Sequence, residues 1–219
     1  MSFKDFQRKF VNGILRLAIR PLFRINTNEL NKVSAEGPLL IYPNHIGSME
    51  VPLIYSLLQP RPVSAMAKAE SWDSRFYAWL FDLWRLVPVK RGEADINAIR
   101  RSIEIIRDGY IFTISPEGTR SGDGKLQQAH PGIVPIALKT GTPLQPIAHF
   151  GIEDLSQNLK KLRRTNFNIR VGKPFTLDPG GERVNSAVRQ EMVDEMMIEL
   201  AKLLPEEYRG FYADKVDKE

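Results

Sequence analysis

Leu39-Leu40-Ile41-Tyr42 runs directly into Pro43-Asn44-His45-Ile46-Gly47-Ser48-Met49-Glu50, and the rest of the chain is arranged around that junction. The apolar run is short enough to be a buried strand. Met49-Glu50-Val51-Pro52-Leu53-Ile54-Tyr55 predicts a helix, with Ser48 as N-cap and Pro52 still in the tolerant first turn. Ligands of α/β proteins bind at such places, outside the carboxyl ends of strands. In one continuous helix, residues five apart diverge by about 140°. His45 and Glu50 therefore meet only if His45 sits in the loop and Glu50 at the helix start. The helix dipole favours an ionised carboxylate there, suited to hold an imidazole and to stabilise its protonated form. A purely structural histidine is the alternative that this stretch leaves open.

Around this junction, short apolar runs alternate with helical patterns. Val63-Ser64-Ala65-Met66-Ala67, Leu86-Val87-Pro88-Val89, residues 110–114, 144–150 and 168–171 predict strands. Residues 71–84 predict a helix with aromatic residues on several faces: Trp72, Phe76, Tyr77, Trp79, Phe81 and Trp84. Such a helix suits a core, an acyl-chain groove or a membrane interface. Ile96, Ile99, Ile103 and Ile106 mark a helix stopped by Gly109; residues 132–139 mark one stopped by Gly141. A closing helix over residues 186–204 carries Val188, Met192, Met196, Leu200 and Leu203 on one side. The pattern predicts an α/β protein: a single domain over residues 31–219 with a mixed, largely parallel central sheet flanked by helices. Residues 1–30 form an N-terminal amphipathic appendage. Phe3, Phe6, Phe10, Ile14, Leu17 and Ala18 recur there at helical spacing, among Lys4, Arg8, Lys9, Arg16, Arg20 and Arg24. That composition fits a helix lying on a membrane surface or one docked on its own domain.

Composition narrows the function classes. The 219 residues include no cysteine, which removes disulfides, thiolate metal sites and a thiol nucleophile, and fits a reducing compartment. No apolar run reaches the roughly 18–20 residues that span a bilayer, and Arg16 and Arg20 interrupt any signal-peptide core. A net charge of +5 points to anionic partners: phosphate, acidic lipid or nucleic acid.

A second constellation lies after the strand at residues 110–114: Ser115-Pro116-Glu117-Gly118-Thr119-Arg120-Ser121. Glycine lets backbone N–H groups approach an anion, and Arg120 offers a forked donor for phosphate or carboxylate. Lys68 and Arg91 also follow predicted strands, so parallel pairing would gather His45, Lys68, Arg91 and Arg120 on one edge. The other reading of each cation is a weak surface ion pair. Residues 118–125 carry one residue too many for a nucleotide-cradling P-loop, with Leu126 where Ser or Thr is required. There is no Gly-x-Ser-x-Gly elbow, and His45, His130 and His149 lack zinc spacing. Direct attack by a substrate hydroxyl, with His45 taking its proton, needs neither nucleophile nor metal.

Together these blocks resemble the glycerophospholipid acyltransferases, the group that contains the 1-acylglycerol-3-phosphate (lysophosphatidate) acyltransferases. The matching blocks are Asn44-His45 with Glu50, Val87-Pro88-Val89-Lys90-Arg91, Pro116-Glu117-Gly118-Thr119-Arg120-Ser121, and Thr142-Pro143-Leu144-Gln145-Pro146-Ile147. The resemblance covers roughly residues 38–151, with the blocks in the family's order. It implies an O-acyltransferase with His45 as general base and Glu50 as its orienting carboxylate. Asn44, Lys68, Arg91, Glu117, Gly118, Thr119 and Arg120 would serve the acceptor and its phosphate. The acyl donor would be acyl-CoA or acyl carrier protein, with no further cofactor and no metal. The acceptor would be a lysophospholipid, and the N-terminal helix would hold the protein peripherally at the cytoplasmic face of a membrane. No nucleic acid partner is expected. Two departures stand out: Glu50 replaces the family's usual Asp, and His130-Pro131-Gly132 stands where a Lys often precedes a Gly. The second leaves open a glycolipid or another lysolipid as acceptor. A non-catalytic lipid-binding relative is the remaining alternative.

Overall fold

The computed structural model describes residues 3–90, 92, 95–181 and 183–216. Helix α1 (Phe3–Ile19) leads to strand β1 (Phe23–Ile25) and then β2 (Leu39–Pro43), α2 (Glu50–Leu57) and β3 (Val63–Lys68). Next come α3 (Arg75–Leu83), β4 (Val87–Val89), α4 (Ile96–Arg107) and β5 (Ile111–Thr113). The chain closes through α5 (Val134–Thr140), β6 (Leu144–Phe150), α6 (Leu155–Lys160), β7 (Thr165–Val171), α7 (Ser186–Leu203) and α8 (Ala213–Val216).

The strands form one seven-stranded sheet in the order β1-β7-β6-β2-β5-β3-β4. β6, β2, β5, β3 and β4 run parallel, whereas β7 is antiparallel to β6 and β1 is parallel to β7. The expected mixed, largely parallel α/β architecture is therefore what forms. Side chains of β2 alternate between two cores. Leu40 and Tyr42 join the core under α4, α5 and α7; Leu39 and Ile41 join the one under α1 and α2. A strand covered on both faces reads as an unbroken apolar run, which is why Leu39-Leu40-Ile41-Tyr42 lacks alternation. Because β2, β3, β4 and β5 are parallel, the loops after them open on one edge. Gly141 stops α5 as expected, in the left-handed conformation at φ +62°.

Several local expectations are corrected. The N-terminal helix ends at Ile19, and Phe23–Ile25 within the proposed appendage is an edge strand paired to β7. Residues 1–30 are thus not purely helical; Pro21 breaks the helix and the apolar residues beyond it enter the sheet. Two apolar faces share α1: Val11, Leu15 and Ile19 pack inward. Phe3, Phe6, Phe10, Ile14 and Leu17 face outward, with Phe3 75% and Leu17 72% exposed. The helix expected over residues 71–84 is a 3-10 turn (Ala69–Asp73) followed by α3. Ile96 opens α4 exposed, and the buried stripe there runs through Ala98, Ser102, Ile103, Ile105 and Ile106.

Candidate active site

The loop after β2 puts His45 and Glu50 in contact: His45 Nδ1 lies 2.6 Å from Glu50 Oε1. Met49, not Ser48, is the N-cap of α2, and no side chain caps it. Instead Glu50 reaches back from the first helical position and accepts the Gly47 N–H on the same Oε1 at 2.9 Å. The carboxylate therefore satisfies a free backbone donor and binds the imidazole at once. Glu50 is 1% exposed. Burial alone would lift its carboxyl, but the His45 hydrogen bond holds it below its ordinary 4.5. Ionised Glu50 can only accept, so Nδ1 of His45 donates and Nε2 keeps its lone pair.

Two braces fix this loop. The Glu117 carboxylate spans two backbones, accepting the N–H of His45 at 2.7 Å and of Gln127 at 3.0 Å. Burial pushes Glu117 up to about 7, against the pull of those two donors. Ser121 N–H donates to His45 O at 2.8 Å and Gly122 N–H to Ile46 O at 3.1 Å, so the loops after β2 and β5 are zipped together. The other brace comes from β6. Asn44 Nδ2 donates to His149 O at 2.8 Å, and Asn44 Oδ1 accepts the His149 N–H at 2.9 Å.

His45 stands at a cleft of about 520 Å³, a size suited to an organic ligand. Its inner wall is apolar, from Ile54, Tyr55, Val63, Ala65, Trp84 and Leu86. Its rim is polar, with Lys68, Lys90, Thr119, His130 and Arg189. Trp84 and Tyr55 pack with 4.4 Å between ring centres and their planes tilted by 33°, and Trp84 Nε1 donates to buried Asn12 of α1 at 3.1 Å.

The sequence-expected residues divide accordingly. His45, Glu50, Lys68, Glu117, Gly118 and Thr119 line the cleft. Lys68 is half exposed and ion-paired to Glu70 at 3.5 Å. Arg120 is exposed and is not part of the cleft wall. Arg91 lies outside the described residues. Asn44 corrects the expectation of a substrate contact: it is buried, with both side-chain polar atoms bonded to His149. Glu117 likewise has both carboxylate oxygens engaged by backbone N–H groups, so it shapes the rim instead of offering a free acceptor. Gly118 adopts φ +67°, and a Cβ there would come within 3.3 Å of the His130 ring. Sequence reasoning assigned no site role to Lys90 or Arg189, and it met His130 only as a departure from the family's usual Lys. Lys90 was visible beside Arg91, but nothing local marks Arg189, which α7 delivers from far along the chain. Among the described residues no group of His, Asp and Glu is arranged to hold a metal ion.

The Acyltransferase family profile matches residues 24–149, the span that contains both loops, the whole of β2, β3, β4 and β5, and β6 up to His149. The chain belongs to the Acyltransferase family. A chloroplastic 1-acyl-sn-glycerol-3-phosphate acyltransferase of Arabidopsis thaliana is 28% identical over 184 residues, 80% of this chain and 51% of the relative. A lyso-ornithine lipid O-acyltransferase of Pseudomonas aeruginosa is 30% identical over 121 residues, 53% of this chain and 46% of the relative. The chain thus spans about half the length of these two relatives. The solved 1-acyl-sn-glycerophosphate (LPA) acyltransferase of Thermotoga maritima has the same fold, with a TM-score of 0.61 at 23% identity over 90% of this chain and 81% of that one. Within this chain, the family span closes on His149, the residue that anchors Asn44.

Proposed function

We propose that this acyltransferase transfers a fatty acyl group from an acyl thioester, acyl-CoA or acyl carrier protein, to a hydroxyl of a lysophospholipid such as 1-acylglycerol-3-phosphate. The observation that carries the reading is the 2.6 Å contact between His45 Nδ1 and Glu50 Oε1 at the mouth of an apolar cleft. Nε2 of His45 takes the proton of the acceptor hydroxyl as its oxygen attacks the thioester carbonyl. When the tetrahedral adduct collapses, the carbon–sulfur bond breaks and the same proton passes to the departing thiolate. An ester and a free thiol remain. Ionised Glu50 stabilises the imidazolium between the two transfers and holds the tautomer that leaves Nε2 bare. The apolar inner wall suits the acyl chain. The cations Lys68, Lys90 and Arg189 at the rim suit an anionic headgroup or the phosphates of the donor.

The likeness to the lyso-ornithine lipid relative, and His130 at the rim where the family often has Lys, favour a second acceptor class, a lysolipid without a glycerol phosphate. Membrane docking completes the reading. The outward Phe3, Phe6, Phe10, Ile14 and Leu17 of α1 lie on the same molecule as exposed Phe76, Tyr77 and Trp79 of α3, and the two helices touch. Apolar rings beside Lys4, Lys9 and Arg20 suit the interface of an anionic bilayer. No helix among the described residues is long and apolar enough to cross a membrane. Peripheral binding at the cytoplasmic face, where both lipid substrate and thioester are within reach, fits this surface.

Thiol release from acyl-CoA and from acyl carrier protein, measured against a panel of lysolipids with products identified by mass, tests the proposal. His45→Ala is expected to lower turnover roughly 10²–10⁴-fold in a folded protein. Unchanged turnover in that variant would overturn it.

A further inference from the structure

His149 belongs to none of the blocks read from the sequence, yet it is fully buried at the end of β6 beside the His45 loop. Its ring Nε2 lies 2.7 Å from the backbone oxygen of Asn44, the residue before His45. A carbonyl only accepts, so the proton of this ring is on Nε2. With the two Asn44 side-chain bonds, three hydrogen bonds join residue 149 to residue 44. The ring also packs against Phe167 of β7, 5.5 Å between centres. The ionisable groups that act on it are Glu50, His45 and Glu153. Burial opposes a charge on His149 and takes it below the ordinary 6.5, although Glu50 and the Asn44 carbonyl pull the other way.

The two histidines near Glu50 are thus of opposite kind. His45 donates from Nδ1 to the carboxylate; His149 donates from Nε2 to a backbone carbonyl. If both were cations, one carboxylate would be divided between two imidazolium rings. Keeping His149 neutral reserves the charge of Glu50 for His45.

We propose that His149 is a positioning residue for the His45 base: with its proton held on Nε2 by the Asn44 carbonyl, it fixes the backbone entering His45 and leaves Glu50 a single imidazole to stabilise. The inference rests on the reading of His45 as the base, so its test includes a measurement that does not depend on turnover.

The chain has three histidines, which makes nitrogen-15 NMR of histidine-labelled protein readable residue by residue. His149 is expected as the neutral Nε2–H tautomer throughout about pH 5 to 8, the interval in which free histidine changes charge. Titration of His149 within that interval, or the Nδ1–H tautomer, would overturn the proposal even if acyl transfer is never detected. Kinetically, His149→Leu removes the donor, while His149→Gln keeps an amide N–H near the position of Nε2. The Leu variant is expected to lose kcat about tenfold or more at unchanged KM for the thioester, with the Gln variant recovering most of it. Equal impairment of both, or of neither, would refute the role. If His149→Leu does not fold, the wild-type tautomer decides. Loss of turnover in none of the His45 variants would instead strike the base reading, leaving the His149 result standing.

Discussion

Glu117 Oε1 accepts the backbone N–H of His45 at 2.7 Å, so the acid of the Glu-Gly-Thr-Arg block holds the main chain of the Asn-His block. The two blocks are one constructed unit: the loop after β5 sets the height and tilt of the imidazole that the loop after β2 carries. Changes to Glu117 should therefore reach the His45 imidazole through its backbone.

That brace carries a pH signature. Glu117 ionises at its ordinary 4.5 when unfolded and at about 7 when folded. Between those values the folded state holds more protons than the unfolded one, so this group's contribution to stability declines as pH rises and levels off above pH 7. Measured against Glu117→Gln, which does not titrate, the wild type should lose on the order of 3 kcal/mol across the window. Parallel melting curves of the two proteins over that pH range would contradict the assignment.

The length of Glu50 matters as much as its charge. Both of its hydrogen bonds fall on Oε1, and Oε2 is buried with no partner among the described residues. Glu50→Gln can keep both bonds while losing the charge, so a folded protein with turnover reduced roughly 10²-fold or more is expected. Glu50→Asp keeps the charge but withdraws it by about one methylene from a contact of 2.6 Å. Although aspartate is usual in the family, it should cost about 10²-fold here, because the loop is braced for the longer side chain. Steady-state kcat for the two variants gives the comparison, and full activity of the Asp variant would show that the loop adapts.

Gly210 keeps the C-terminal segment against the loop after β5. It has φ +50°, and a Cβ there would lie 2.3 Å from Leu126 O, next to the Gln127 N–H that Glu117 accepts. Gly210→Ala should lower stability by roughly 3 kcal/mol, from left-handed strain and the close approach together. Denaturant midpoints measure this, and a wild-type midpoint would show that the segment shifts freely.

Phe6 and Phe10 stack on each other at 6.3 Å on the outward face of α1. Replacing both by Glu should leave folding within about 1 kcal/mol of wild type, since neither side chain enters the core. Sedimentation with vesicles containing an anionic phospholipid should show most of the binding lost. Unaltered binding would place the membrane contact elsewhere.

Much of the parallel sheet was legible in the chain because its signals are local. An unbroken apolar run, a polar loop and a helix start are features of consecutive residues, and the His45–Glu50 spacing itself demanded a loop-to-helix boundary between them. Gly109 and Gly141 stop their helices for equally local reasons. The edge pair β1 and β7 was less visible: three residues beyond Pro21 make a strand only because β7 lies alongside to receive their hydrogen bonds.

The sequence by itself marked His45 and Glu50 as a pair across a strand-to-helix turn, the alternation of strands and helices, and the family those blocks resemble. Only the tertiary structure decided what supports them. Asn44 meets His149 across 105 positions and Glu117 meets His45 across 72, and Arg189 reaches the rim from the closing helix. Such partners follow from which strands become neighbours in the sheet, a property of the whole chain's packing that no local period or spacing encodes.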